Sequence, residues 1–167
     1  MDPPIGIEPL EPYHEVADFD CGVQVLNAYL VERAQADQRL GQARVFVALC
    51  GDFVVAYFSL MAASVRRQRT RAEALTGEEQ EAVIAILLSR LAVDADEQGH
   101  HLGEWMLLEA LARAAQAADA IDARVVLVHA KSEGARSFYE RYGLRRSPIG
   151  PLHLMLPIDD VRRTFAD

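Results

Sequence analysis

The chain has 167 residues, 51 % of them hydrophobic and 25 % charged, which fits one folded domain over residues 1–167 with a sizeable core. A net charge of −8 excludes a surface that is basic throughout, and with it a general nucleic-acid-binding coat, while leaving a local basic patch open. No apolar run is long enough to span a bilayer, and Met1-Asp2-Pro3-Pro4 has no basic segment leading into an apolar one, so a cytoplasmic protein without signal peptide or membrane contact is expected.

Ile5 to Leu10 reads as a short strand closed by Pro9 and Pro12. Asp20 is expected to cap a helix starting near Cys21 or Gly22, with Leu26, Tyr29, Leu30 and Ala34 at helical spacing and Gly41 at its end. Arg44 to Leu49 and Phe53 to Met61 predict a hairpin about the turn Gly51-Asp52. A polar connection follows, with Arg66, Arg67, Arg69 and Arg71, then Glu73, Glu78, Glu79 and Glu81. Val83 to Val93 is almost unbroken apolar sequence, as expected of a strand covered on both faces.

A polar turn carrying Gly99 and Gly103 comes next, then a helix whose stripe is Leu107, Leu108, Leu111, Ala114, Ala115 and Ala118. Arg124 to His129 predicts another buried strand. Ser132 is placed to cap a helix that Gly143 closes, and Leu152 to Leu156 reads as a last strand ending at Pro157. The fold class is α/β: hairpins first, then a strand–helix–strand half. Cys21 and Cys50 make neither a zinc pattern nor a disulfide framework and are expected to be reduced.

A strand, a glycine-bearing turn and a helix aim backbone N–H groups at a phosphate. His100-His101 in that turn do not predict a metal: adjacent residues rarely converge on one ion, and no third ligand stands nearby. His14, His129 and His153 are scattered, and each reads as a packed or surface histidine. The arginines fall into two clusters, Arg66, Arg67, Arg69, Arg71 and Arg136, Arg141, Arg145, Arg146. Such runs are usually solvated faces, yet the guanidinium fork suits phosphate oxygens.

Taken together, Leu91 to Gly103 and Ser132 to Leu144 resemble the GCN5-related N-acetyltransferases (GNAT). Further blocks resemble one subgroup, the TacT-like toxins of type II toxin–antitoxin pairs: Phe19-Asp20-Cys21-Gly22 with Leu26-Asn27-Ala28-Tyr29-Leu30, Ser89-Arg90-Leu91-Ala92-Val93-Asp94, Arg136-Ser137-Phe138-Tyr139-Glu140-Arg141 and Leu154-Met155-Leu156-Pro157. The resemblance implies a mixed central sheet with a splayed parallel strand pair and flanking helices. It also implies acetyl-CoA as cofactor, with the pantetheine arm in the gap between Leu91, Ala92 and Val93 on one strand and Val125 to His129 on the next, and a backbone N–H near Val93 facing the thioester oxygen.

The turn Gln98, Gly99, His100, His101, Leu102, Gly103 would hold the pyrophosphate. Ser132, a position that is often Asn in the wider superfamily, belongs to the same cofactor set. Tyr139 would protonate the departing thiolate; without the resemblance it reads as an aromatic packing the helix on the sheet. The usual turn has Gln or Arg, two residues, Gly, one residue, then Gly or Ala. Counted that way, Asp96 stands at the basic position and His101 at the second glycine, with Glu104 and Trp105 as further departures. Asp96 and Glu104 put negative charge near a pyrophosphate, and His101 disfavours a positive φ.

The two arginine clusters would contact the acceptor, an aminoacyl-tRNA whose α-amine is acetylated, which blocks translation. The partner implied is a small ribbon-helix-helix antitoxin, and a homodimer stays open. Two alternatives remain: the same chemistry on a small amine or a protein N-terminus, and a degenerate domain that binds a partner without catalysis.

Overall fold

The computed structural model describes residues 6–66, 82–148 and 150–166. Its strands are β1 (Ile7–Pro9), β2 (Arg44–Cys50), β3 (Phe53–Arg66), β4 (Ala82–Val93), β5 (Val125–His129), β6 (Arg145–Arg146) and β7 (His153–Pro157). The described helices are α1 (Gln24–Glu32), α2 (Ala34–Arg39), α3 (Leu102–Ile121), α4 (Glu133–Arg141) and α5 (Ile158–Thr164), with a 3-10 turn at Ala95–Glu97. The strands form one mixed sheet in the order β1-β2-β3-β4-β5-β7-β6. One pair is parallel. It is β4 with β5, because the chain leaves β4 through α3 and returns in the same direction.

Two units are described in turn. The first takes the described residues up to Met61 together with Leu88–Ala114. Phe46, Val45, Val47, Tyr57 and Phe58 are β-formers, and all are buried on the β2/β3 hairpin. Gly51, with φ of 62°, allows the two-residue turn that pairs Cys50 with Phe53. Leu26, Tyr29 and Leu30 project from α1 onto Val45, Val47, Val54 and Tyr57 as one apolar cluster. The Tyr57 hydroxyl donates to the Leu26 carbonyl at 2.7 Å, which satisfies a buried phenol and fixes α1 to the sheet.

The predicted single helix is two. Arg33, with φ of −123° and ψ of −31°, leaves the helical region and divides α1 from α2. Asp20 does not cap it either: α1 starts at Gln24 behind Val23, which offers no side-chain cap. The second strand of the hairpin runs five residues past Met61, to Arg66. Arg67, Arg69, Arg71, Glu73, Glu78, Glu79 and Glu81 lie outside the described residues, and of Arg66 only its place at the end of β3 is described.

The second unit holds the described residues of Ala62–Leu87 and Ala115–Asp167. β5 and β7 pair antiparallel from Val125 opposite Pro157 to His129 opposite His153. Val126, Val128, Leu154 and Leu156 are buried on one face of this pair. Two elements had no expectation. β6 pairs Arg145 and Arg146 with Met155 and Leu154, and α5 follows Pro157 directly, burying Ile158 and Val161. Two residues of strand and a seven-residue helix give too short a pattern for periodicity to register. Among the described residues, no helix is long and apolar enough to cross a membrane.

Candidate active site

In the first unit, β4 ends on half-buried Leu91 and Val93 around buried Ala92. Asp94 follows and acts as a hub. One carboxylate oxygen accepts from the Asp20 N–H at 3.0 Å, the other from the Asp96 N–H at 3.0 Å. The Asp94 N–H goes to the Val55 carbonyl at 2.9 Å, and the Ala95 N–H to the Asp20 carbonyl at 2.8 Å.

Gln98 turns its amide back onto the strand end. Its Nε2 donates to the Val93 carbonyl at 2.9 Å and lies 3.3 Å from the Cys21 carbonyl. The loop at Asp20–Gly22 is closed by its own bonds. Asp20 accepts from the Gly22 N–H and the Asn27 amide, both at 2.9 Å, and Asn27 accepts from the Cys21 N–H at 2.9 Å. These bonds, the Gly22 N–H first, hold the Asp20 carboxyl below the usual carboxylate range. The Phe19–Gly22 and Asn27 block therefore forms a clamp on the end of β4.

The turn itself has two left-handed residues, Gly99 with φ of 85° and His101 with φ of 63°. A glycine is the natural occupant of the first; at His101 a Cβ is carried in a conformation that costs an L residue about 1–2 kcal/mol. His101 carries that cost, and the backbone takes the left-handed conformation all the same. His101 Nδ1 lies 3.5 Å from the Glu104 carboxylate. Both residues, with Trp105 and Leu108, line an open cavity of about 190 Å³.

Gly103 does not punctuate the turn, because α3 begins at Leu102 and includes it. Asp96 lies in the 3-10 turn, before the left-handed pair. The start of a 20-residue helix, behind two left-handed residues, is a backbone arrangement that suits an anionic group. Glu104 is the side chain that would oppose an anion there.

In the second unit, Ser132 caps α4 as expected: its hydroxyl accepts from the Ala135 N–H at 3.1 Å. Tyr142 ends α4, and Gly143, with φ of 94°, turns the chain away. Tyr139 is buried, and desolvation pushes its phenol up to about 12, so near neutral pH it is a proton donor and not an acceptor. Its ring meets Phe138 edge-on at 5.3 Å.

The arginines of this unit are unequal. Arg136 is held by carboxylates of its own helix, Glu133 at 2.5 Å and Glu140 at 3.1 Å, with its Nε shielded and not aligned for a hydrogen bond. Arg145 pairs with Asp160 at 3.0 Å. Arg141 lies over the Phe138 ring at 5.7 Å. Arg146 is exposed and makes no ion pair with another described residue.

One pairing had no sequence signal. The rings of His129 and His153 stack at 4.3 Å, 9° from parallel. Only the β5/β7 register brings them together. Among the described residues, no group of three or more His, Cys, Asp or Glu could hold a metal.

Residues 41–145 match the model of the acetyltransferase (GNAT) domain. The chain belongs to the GNAT acetyltransferase family. As a GNAT chain it is 40 % identical over 153 residues to the tRNA-acetylating toxin of Mycobacterium tuberculosis, with 92 % of each chain covered. Two solved structures of the toxin AtaT share its fold. AtaT complexed with acetyl-methionyl-tRNAfMet superimposes with a TM-score of 0.84 at 22 % identity, over 96 % of this chain and 98 % of that one. A Tyr→Phe variant of AtaT, bound to acetyl-CoA and to the C-terminus of the antitoxin AtaR, gives 0.82 at 22 % identity, over 97 % and 98 %.

Proposed function

We propose that this acetyltransferase is the toxin of a toxin–antitoxin pair and acetylates the α-amine of an aminoacyl-tRNA. The observation that carries the reading is the 40 % identity to a tRNA-acetylating toxin across 92 % of both chains. Acetyl-CoA supplies the acetyl group as a thioester. The turn from Gln98 through Gly99, His100, His101 and Leu102 to Gly103 holds the pyrophosphate by its backbone, and Leu91, Ala92, Val93 and Ser132 belong to the same cofactor set. The left-handed φ at His101 supports counting the motif two residues later than Asp96: Gln98 in the Gln/Arg position, His101 for the first glycine, Gly103 for the second.

Tyr139, kept protonated by burial, gives its proton to the leaving sulfur. Arg66, Arg67, Arg69 and Arg71 serve tRNA phosphates with Arg141 and Arg146. Arg136 and Arg145, already neutralised by Glu133, Glu140 and Asp160, contribute less. Residues 1–167 act as one catalytic domain in the cytoplasm. The partner is a ribbon-helix-helix antitoxin, and a homodimer fits the same reading.

The test is N-acetylation of charged total tRNA with labelled acetyl-CoA. Label on the amino acid is expected. Label only on small amines would overturn the tRNA assignment. A second reading, a domain that no longer binds acetyl-CoA, is favoured by Glu104 beside the turn; it predicts no heat in calorimetry at millimolar acetyl-CoA.

A further inference from the structure

We propose that the stacked pair His129–His153 accepts the proton that the substrate ammonium must lose before it attacks, with His129 as the acceptor and His153 as its positioning partner. The inference rests on the tRNA-acetylating reading above and adds the base that the reading leaves unnamed. The pair is built. His129 ends β5 directly opposite His153 at the start of β7, and the rings lie 4.3 Å apart at 9°. His153 is held from behind: its N–H donates to the Gly150 carbonyl at 3.2 Å, and its carbonyl accepts from the Ser147 N–H at 2.8 Å. A Cβ at Gly150 would stand 3.0 Å from the His153 ring, so any larger residue there would press on the ring. His129 is exposed, so one ring of the pair can reach a substrate.

The place suits chemistry. His129 is the carboxyl end of the second strand of the parallel pair, where open α/β sheets take ligands. Three residues on, Ser132 starts the helix that carries Tyr139. Two imidazoliums stacked face to face repel, so the pair takes one proton and resists a second. The charges bearing on His129 are positive: His153 across the strands and Lys131 two residues on. β6 adds Arg145 and Arg146 on the far side of β7, while residues 82–87 of β4 are uncharged. Partial desolvation first, then His153 and Lys131, push His129 below the ordinary histidine value. His129 is therefore neutral and receptive at neutral pH.

The step balances. The N–H bond of the α-ammonium breaks and an imidazole N–H bond forms. The freed lone pair makes the C–N bond as the C–S bond breaks. The sulfur takes the Tyr139 proton, and the second proton on nitrogen leaves to water.

The test is the pH profile of kcat/KM for wild type and His129→Gln on charged total tRNA. Without the base, only amine that is already neutral reacts, so the acid limb should move up toward the α-amino value near about 8. A loss of about tenfold at pH 6.5 should vanish by about pH 9. A loss equal at every pH, or an unmoved acid limb, overturns the proposal. NMR titration of the two rings in the wild-type protein tests it without a variant: coupled titration with His129 below 6.5 is expected, and independent ordinary titrations overturn it. If wild type transfers no acetyl to charged tRNA at any pH, the functional reading itself fails; if it does and the limb stays put, only the pair does.

Discussion

At the scale of single residues, Tyr139 and His101 make opposite predictions. Tyr139→Phe keeps the ring against Phe138 and removes only the proton donor. Turnover should fall by ~10²–10⁴-fold, with acetyl-CoA affinity near wild type by calorimetry. A packing-only tyrosine would leave the rate unchanged. His101→Gly should do the reverse of damage. It relieves a left-handed Cβ at about 1–2 kcal/mol and adds glycine entropy of about 0.5–1 kcal/mol, a net gain of about 0–1.5 kcal/mol. A rise in Tm of a few degrees checks it, and acetyl-CoA should bind more tightly once the imidazole no longer crowds the turn. A lower Tm would mean that the exposed His101–Glu104 contact matters more than the backbone.

Among the elements, the clamp on β4 gives a pH dependence. The Asp20 carboxyl is held below its ordinary value by the Gly22 N–H and the Asn27 amide. A depressed carboxylate adds stability that is present above its unfolded value, near about 4, and is lost as pH falls through the folded one. Urea midpoints between about pH 6 and 2.5 should fall less steeply for Asp20→Asn than for wild type. Much at this scale was legible in the sequence. Val83 to Val93 announced an interior strand by its almost unbroken apolar run, and Ser132 announced a helix start by its type. Asp20 looked like the same signal and was not: its carboxylate was taken by Gly22 and Asn27, and Val23 separates it from α1. The His129–His153 contact was illegible because strand register, set by long-range pairing, leaves no mark on either residue.

For the whole molecule, charge decides. An acidic protein of net charge −8 must meet tRNA through local basic groups. Acetylation of charged tRNA should therefore fall steeply with salt, while acetyl-CoA binding changes much less. The double variant Arg66→Glu, Arg67→Glu should lose tRNA acetylation and flatten that salt slope. Equal salt sensitivity in wild type and variant would place the tRNA contact elsewhere.

The tie between Asp20 and Asp94 also says something about the order of events during folding. The hydrogen bond spans 74 residues of chain. Closing so long a loop is entropically slow compared with forming a hairpin or a helix. The β2/β3 hairpin and α3 rest on local contacts and can form early, whereas the clamp must wait until both ends of the loop are in place. In pulse-labelled hydrogen exchange, the amides of Asp20 and Ala95 should be among the last to gain protection. A nascent or partly unfolded chain would then carry much of its sheet without a finished β4 terminus. For a protein proposed to poison translation, activity would switch on only when the last long loop has closed.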